Sequence, residues 1–334
     1  MEEFVPGRLL STPITAPPML RHRLLTPCVA LALGFTLCAP GGFAQATGHA
    51  PAHGVELYYH TYGDGPPLLL LNGGPGLSSV HFVPLAEQLS ALGDGYRVIL
   101  FDQRGTGRSP LDATDSSTVT VELMVEDIEA LREHLGIEQW TVMGHSWGGM
   151  YGMLYATRHP DRTHGLILSA SGASNLQGFD YVWANIQMRM GPERRAAYER
   201  ATDPEYAEAH PEQAERERLN ALAAAYVFDP SHIPVVAEAL GRPGANFPAV
   251  RGLVYADLRR IGYDVADELT AYAPPALILS GRQDLVGEAV PLRIHAALPN
   301  SELVWFNECS HYPWLDQPEA YFEAIAAFLA HTPS

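Results

Sequence analysis

The stretch VMGHSWGGM, residues Val142–Met150, decides the fold of this chain. It reads as a short apolar strand, a Gly-x-Ser-x-Gly pentapeptide and the small-residue start of a helix. This order is typical of a nucleophile elbow, the sharp strand-to-helix turn that holds a serine hydroxyl at the top of a sheet. Gly144 and Gly148 fit such a turn because it is strained and crowded, and side chains there would clash. The pattern predicts that Ser146 attacks a carbonyl carbon, which is hydrolase chemistry.

Strand and helix patterns alternate on both sides of this stretch. Apolar strands are predicted at Val55–Tyr62, Pro67–Leu71, Arg97–Phe101, Trp140–Met143, Leu166–Leu168, Ala276–Ser280 and Leu303–Phe306. Such alternation predicts a mostly parallel sheet with helices on both faces. Residues 173–272 interrupt it with helical stretches and no clear strand. An insertion at the carboxyl end of a strand would lie over the crevice where open α/β sheets bind ligands. We therefore expect a core of residues 53–172 and 273–334 and a helical cap of residues 173–272.

The first 46 residues are interpreted as an N-terminal extension with a signal peptide. Basic residues at Arg21–Arg23 precede a mostly apolar run from Cys28 to Cys38, and Ala44–Ala46 fits the A-x-A cleavage pattern. The apolar run is too short to span a bilayer comfortably. We expect cleavage after Ala46 and a secreted or periplasmic mature protein.

The composition argues against several classes of partner and cofactor. A formal net charge of −17 disfavours nucleic acid and anionic membranes, while 47% hydrophobic residues supply a packed core. After removal of the signal peptide only Cys309 of the three cysteines remains, so no intramolecular disulfide is expected. No CxxC pair or His/Cys cluster has zinc spacing, so the sequence predicts neither a metal nor another cofactor.

An activated serine needs a base, and the base needs an orienting acid. Asp284 and His311 follow the last two predicted strands, each in the loop that leaves the carboxyl end of its strand. That edge of the sheet also carries Ser146. The sequence therefore predicts a Ser146–Asp284–His311 triad in the chain order serine, acid, histidine. Asp316 is a rival acid, but it follows the histidine and breaks this order.

The tetrahedral intermediate of acyl transfer needs hydrogen-bond donors for its oxyanion. One predicted donor is the backbone amide of Trp147, directly after the nucleophile at a helix N-terminus. The other is the amide of Gly74 in the glycine-rich loop Asn72–Gly76, where Pro75 has no N–H to offer. The alternative, that this loop cradles a phosphate, is disfavoured because it lacks the Lys-Ser/Thr ending of a P-loop.

Taken together, the motifs resemble the proline iminopeptidase family of α/β-hydrolases over roughly residues 55 to 330. The matching segments are Gly73–Gly76, Asp102–Ser109, Gly144–Gly149, Gly281–Asp284 and Ser310–His311. The resemblance implies an α/β-hydrolase fold with a helical cap, the triad and the Gly74 and Trp147 oxyanion hole. It also implies release of N-terminal amino acids from short peptides or arylamides without a metal or organic cofactor.

The cap departs from the family pattern. Peptidases of the family bind the free amine of the substrate with cap glutamates, because a buried cation needs a carboxylate partner. The glutamate that precedes a His-Tyr-Phe segment is missing, and the nearest stretch is Ala224–Asp229. The turn Gly244–Phe247 likewise has no glutamate after it. Glu215, Glu217 and Asp229 are candidate substitutes; the alternative is that they are solvated surface charges.

Two hydrolytic functions follow from these observations. The first is cleavage, through an acyl-enzyme, of the amide at the N-terminus of a small peptide or arylamide. The alternative is an esterase, lactonase or amidase that acts on small molecules with the same triad. A ligand-binding protein without catalysis is disfavoured, because every member of the triad is present.

Overall fold

The computed structural model describes residues 46–178 and 181–332. Of the expected N-terminal extension and signal peptide, residues 1–46, all but Ala46 lie outside the described residues, so cleavage and the export of the chain stay predictions. Ala46, at the expected cleavage site, is the first residue of the first strand. Within the described ranges, no helix is long and apolar enough to cross a membrane.

In the described residues the strands form one sheet of eight. The strands are β1 (Ala46–Ala52), β2 (Val55–Tyr62), β3 (Pro67–Leu71), β4 (Arg97–Phe101), β5 (Trp140–His145), β6 (Thr163–Ser169), β7 (Ala276–Gly281) and β8 (Ser301–Phe306). Their order across the sheet is β1-β2-β4-β3-β5-β6-β7-β8. The pairs β1–β2 and β2–β4 are antiparallel and the remaining pairs are parallel. This arrangement confirms the predicted mostly parallel sheet.

The α-helices of the described residues follow the strands in the order that a doubly covered sheet requires. They are α1 (Val83–Ser90), α2 (Val121–His134), α3 (Trp147–Arg158), α4 (Val182–Ala201), α5 (Pro204–Ala209), α6 (Pro211–Tyr226), α7 (Ile233–Gly241), α8 (Pro248–Ile261), α9 (Ala266–Leu269), α10 (Ala289–Ala297), α11 (Pro313–Asp316) and α12 (Pro318–His331). Helices α2, α3 and α10 bury their apolar residues on one face of the sheet, and α1 and α12 bury theirs on the other.

Both faces of the central strands are buried, which explains their continuous apolar sequences. In β3, Leu69 and Leu71 belong to the cluster under α2 and α3, whereas Leu68 and Leu70 belong to the cluster under α1 and α12. Successive side chains of a strand point to opposite faces. The sheet is therefore a rigid support for the loops at the carboxyl ends of its strands.

Strand β1 was absent from the sequence prediction, which began the sheet at Val55. Its sequence, ATGHAPA, has few of the β-branched and aromatic residues that favour strands. All seven of its residues nevertheless pair with β2, from Ala46 opposite Thr61 to Ala52 opposite Val55. The two-residue turn between the strands contains Gly54 with a φ of 81°, a conformation suited to glycine. Pairing with a neighbouring strand outweighs the weak local propensity here.

Helices α4 to α9 are inserted between β6 and β7 and form the cap. Helix α4 is broken inside by Gly191, whose φ of 72° and ψ of 169° are not helical, and Pro192 follows it. We call residues Val182–Met190, before this break, the front segment of α4. Two isolated bridges, Leu77 to Asn246 and Asn175 to Asp264, involve residues that flank the cap helices. The exact domain boundaries, including 173–272 for the cap, stay predictions.

Candidate active site

Ser146 lies at the sharp turn between β5 and α3. Its φ of 55° and ψ of −118° are strained for a residue with a side chain. A Cβ atom added to Gly144 would meet the carbonyl of Gly148, and one added to Gly148 would meet the carbonyl of Leu71. The two glycines therefore allow the close approach that places Ser146 at the carboxyl end of the sheet. This is the geometry of a nucleophile elbow.

Asp284 and His311 lie beside each other, although they are 27 positions apart in the chain. The Nδ1–H of His311 donates to Oδ1 of Asp284 across 2.8 Å, and both side chains are buried. The same Oδ1 accepts a hydrogen bond from the amide of Val286 at 3.1 Å, so Asp284 also stabilises the turn of its own loop. The other oxygen, Oδ2, has no hydrogen-bond partner among the described residues. The hydrogen bond fixes the histidine with Nε2 available as a base.

Ser146 and His311 line the same cavity, of about 140 Å³, under the cap. The lining comes from the loop after β3, from the elbow, from the front segment of α4, from other cap helices and from the loops after β7 and β8. It is made of Gly73, Gly74, Pro75, Leu77, His81, Phe82, His145, Ser146, Trp147, Met150, Gly172, Val182, Ile186, Tyr226, Leu240, Tyr255, Leu285, Val286, His311 and Tyr312. No carboxylate occurs among these described lining residues.

The two predicted oxyanion donors both line the cavity that contains Ser146. Trp147 is the first residue of α3, so its amide has no carbonyl partner within the helix. Gly74 has a φ of 68° and lines the cavity. The preceding Gly73 approaches the elbow so closely that an added Cβ would lie 3.0 Å from Cβ of Ser146. The glycine-rich loop therefore brings backbone amides close to the nucleophile.

A chain of hydrogen-bonded side chains connects the glycine-rich loop with Trp147. Asn72 donates through Nδ2 to the carbonyl of Leu77 at 3.0 Å, which holds the glycine-rich loop in its turn. Gln103 donates through Nε2 to Oδ1 of Asn72 at 3.3 Å and accepts the indole N–H of Trp147 at 3.1 Å. Gln103 was not among the predicted site residues. Its position in the Asp102–Ser109 motif could have indicated that it belongs to the site.

His145 contacts the loop that carries His311. Burial holds its pKa well below the ordinary value, so the ring is neutral. Its Nε2–H donates to the carbonyl of His311 across 2.8 Å. His81 also lines the cavity, and burial lowers its pKa to about 4. Both histidines are therefore uncharged at neutral pH.

The cap also contacts the histidine loop, by which we mean residues 307–312. The amide of His311 donates to the carbonyl of Tyr226 across 2.9 Å, and the two rings stack with centroids 5.5 Å apart. Tyr226 ends α6 and was not predicted as a site residue, because only the folded cap brings it to His311. His311 is thus anchored on a cap residue as well as on Asp284.

Comparison with known proteins identifies the family of this chain. A family model described as the alpha/beta hydrolase fold matches residues 66–318. A proline iminopeptidase from Lactobacillus helveticus is 30% identical over 299 residues, which cover 84% of this chain and 97% of the relative. The chain belongs to the proline iminopeptidase family of α/β-hydrolases. It is therefore a hydrolase, as the sequence predicted.

Solved structures of the wider fold are also similar. A proline iminopeptidase from Mycobacterium smegmatis has a TM-score of 0.60 at 23% identity and covers 86% of this chain and 98% of its own. Est816, titled an N-acyl homoserine lactone degrading enzyme, has a TM-score of 0.59 at 23% identity and covers 84% and 100%. Both likenesses concern the α/β-hydrolase fold.

The three cap carboxylates predicted as amine ligands of a proline iminopeptidase have other partners. Glu215 pairs with Arg218 at 2.8 Å on an exposed face of α6, and Glu217 pairs with Arg200 at 2.8 Å. Asp229 is exposed, and its side chain accepts the amide of Ser231 at 2.8 Å. None of them lines the cavity around Ser146. The structure therefore does not bring these residues to the cavity that contains Ser146 and His311.

Asp316 and Cys309, which lie close to His311 in the sequence, have structural roles. Asp316, the rival acid, accepts the amides of Ser310 at 2.8 Å and of Phe228 at 2.9 Å through Oδ2. It therefore ties the histidine loop to the end of α6. Cys309 is buried, and burial raises the pKa of its thiol, which suits a small core residue and not a nucleophile.

Proposed function

We propose that this hydrolase works through an acyl-enzyme on Ser146, with His311 as the general base and Asp284 as the orienting acid. The observation that carries the proposal is the 2.8 Å hydrogen bond from His311 to Asp284 in the cavity that also contains Ser146. A serine on a strained turn and a hydrogen-bonded pair of acid and histidine in the same cavity are the parts of a serine hydrolase.

In the first half of the reaction, His311 takes the proton of the Ser146 hydroxyl as its oxygen attacks the substrate carbonyl. The amides of Gly74 and Trp147 donate to the oxyanion of the tetrahedral intermediate. The imidazolium, stabilised by Asp284, then gives its proton to the leaving amine or alcohol. Water attacks the acyl-serine in the second half, again with His311 as base, and Ser146 is released with its proton restored.

The proposed substrate is a short peptide or an arylamide, cleaved at the amide that follows its N-terminal residue. Support comes from the curated proline iminopeptidase that matches along 97% of its own length. The volume of the cavity, about 140 Å³, also suits a small acyl group, because a cavity of about 150 Å³ holds a benzene-sized molecule. A prolyl ring is of that size.

A second candidate, hydrolysis of a small ester, lactone or uncharged amide, is favoured by the electrostatics of the cavity. The described lining residues include no carboxylate, and burial keeps His81 and His145 neutral. A charged ammonium group would lose its water shell here without an ionic partner. An uncharged acyl group of the same shape would bind without that loss.

Two substrates of equal shape separate these functions. Proline 4-nitroanilide and cyclopentanecarboxylic acid 4-nitroanilide differ only in the ring amine. If the enzyme is an iminopeptidase, kcat/KM for the proline compound is higher by about 10-fold to 100-fold, since a hydrogen bond to a charged group is worth about 1.5–3 kcal/mol. Equal rates, or faster cleavage of the cyclopentane compound and its 4-nitrophenyl ester, would overturn that assignment and support the second candidate. Ser146→Ala gives the background rate in each assay.

A further inference from the structure

Arg189 extends from the cap to the residue that precedes the catalytic histidine. It lies in the front segment of α4, where its Nη2 donates to Oγ of Ser310 across 2.9 Å. Its Nε donates to the carbonyl of Ala225 near the end of α6, also across 2.9 Å. Ser310 is fully buried, so this hydrogen bond is shielded from solvent. One guanidinium thus joins two cap helices to the histidine loop.

The charge of Arg189 lies near two carboxylates that flank His311. Burial lowers the pKa of the guanidinium, and the negative charges of Asp284 and Asp316 oppose that shift. Asp284 keeps one buried oxygen without a hydrogen-bond partner among the described residues. A positive charge nearby favours the ionised form of such a carboxylate.

The front segment also contacts the loop that carries the acid. Asn185, one turn before Arg189, donates through Nδ2 to the carbonyl of Leu285 across 2.8 Å. Ile186 and Val182 of the same segment line the cavity. Because Gly191 breaks α4 directly afterwards, the segment is a short helix of its own. It packs over the cavity and bonds to the neighbours of Asp284 and of His311.

We propose that Arg189 is a positioning residue for the proposed triad, holding the histidine loop through Ser310 and keeping a positive charge beside the Asp284–His311 pair. This inference rests on the proposed function. Its consequence is that the front segment of the cap is part of the catalytic apparatus as well as a wall of the cavity.

The test compares Arg189→Gln with Arg194→Gln, which removes the same charge from an exposed position of the same helix. With a 4-nitrophenyl ester of a short acid, kcat of Arg189→Gln is expected to fall about 10-fold to 100-fold while KM changes less than about 3-fold. Arg194→Gln is expected to leave both kcat and KM unchanged. An unchanged kcat in Arg189→Gln, or a change confined to KM, would overturn the inference.

The pH profile of kcat/KM distinguishes positioning and charge from a purely structural role. Loss of the positive charge makes proton uptake by the Asp284–His311 pair easier, so the acidic limb of the profile moves to higher pH in Arg189→Gln. The other titratable groups around the pair remain in place in every variant: His145 from β5, Tyr226 from α6, Cys309 and Tyr312 from the histidine loop and its end, and Asp316 from α11. If the acidic limb of Arg189→Gln stayed at the wild-type pH, the proposed electrostatic role of Arg189 would be contradicted.

Two further variants keep the test decisive if Arg189→Gln folds poorly. Arg189→Lys retains the charge but not the planar fork of donors, so the acidic limb stays in place while kcat falls only partly. Ser310→Ala removes the acceptor, so the double variant Arg189→Lys/Ser310→Ala is expected to lose no more kcat than Ser310→Ala alone. Fully additive losses would contradict the tether. If a fluorophosphonate fails to label Ser146 in the wild type, the proposed function itself is overturned and this inference with it.

Discussion

The indole Nε1 of Trp147 donates a hydrogen bond to Oε1 of Gln103 across 3.1 Å. Gln103 in turn donates to Oδ1 of Asn72, whose side chain holds the loop that carries Gly74. The two amides proposed for the oxyanion hole are therefore held in register by one buried glutamine. A preorganised pair of donors is worth more than two independent ones, because no rearrangement is needed during the reaction.

Gln103→Leu should lower kcat about 10-fold to 100-fold with a smaller change in KM, since the donors act mainly on the transition state. Steady-state kinetics with a short-chain ester check this. Gln88→Leu, on the exposed face of α1, is the matched control and should behave as wild type. A Gln103→Leu variant with wild-type kcat would mean that the glutamine has no part in arranging the oxyanion hole.

Asp284→Asn should lower kcat by about 10³-fold to 10⁴-fold, because an amide cannot hold His311 in the correct tautomer or stabilise its protonated form. Asp316→Asn serves as the comparison. Asp316 binds backbone amides on the other side of the histidine loop, so its loss should destabilise the fold and cost much less in kcat. The reverse ranking of the two variants would show that the acid has been misassigned.

Acidification should destabilise the protein through buried neutral histidines outside the catalytic triad. Burial lowers the pKa of His60 from 6.5 to about 4. The unfolded chain takes up this proton near pH 6.5 but the folded chain does so only near pH 4, so stability is complete above pH 6.5 and falls as the pH decreases toward 4. At pH 5, His60 accounts for a loss on the order of 2 kcal/mol in the free energy of unfolding.

Urea unfolding near pH 7 and near pH 5 measures this effect. His60→Gln should lose less stability between the two conditions than the wild type, whereas the exposed His331→Gln should lose as much as the wild type. Equal pH dependence in His60→Gln and the wild type would contradict the assignment of a neutral buried ring.

The fold should depend strongly on the pair of Arg104 and Asp127. Both nitrogens of the Arg104 fork bind the carboxylate, at 2.7 and 2.6 Å, and both side chains are only 1% exposed. Arg104→Met leaves a buried carboxylate without its cation and should lower the free energy of unfolding by about 3–5 kcal/mol. Arg195→Met, which removes an exposed pair with Glu199, should cost about 0–1 kcal/mol. Similar unfolding midpoints for the two variants would contradict this.

The sequence predicted the sheet and the elbow well, because both depend on local patterns. Buried strands such as Pro67–Leu71 are continuous apolar runs, and the turn at Ser146 needs glycines at fixed positions. Strand Ala46–Ala52 could not be predicted in this way, since its pairing with β2 determines its structure. The chain order of serine, acid and histidine was enough to predict that Asp284 and His311 lie together. The reason is that parallel strands end at one edge of a sheet.

The contributions of the cap were harder to predict, since they depend on how its helices pack. Nothing local distinguishes Arg189, which contacts Ser310, from the exposed Arg194 five positions later. For the same reason Glu215 and Glu217 looked available for a substrate amine, although both pair with arginines away from the cavity. Side-chain partners across a hundred positions are set by tertiary structure and not by spacing.

The most direct test of the central claim is covalent labelling with a fluorophosphonate, followed by mass spectrometry of the modified peptide. The proposed mechanism predicts one label per chain, on Ser146, with hydrolysis lost in proportion to labelling. Ser146→Ala should fold as the wild type does, take up no label and show no turnover above background. Labelling at another serine, or turnover retained in Ser146→Ala, would contradict the claim that this residue is the nucleophile.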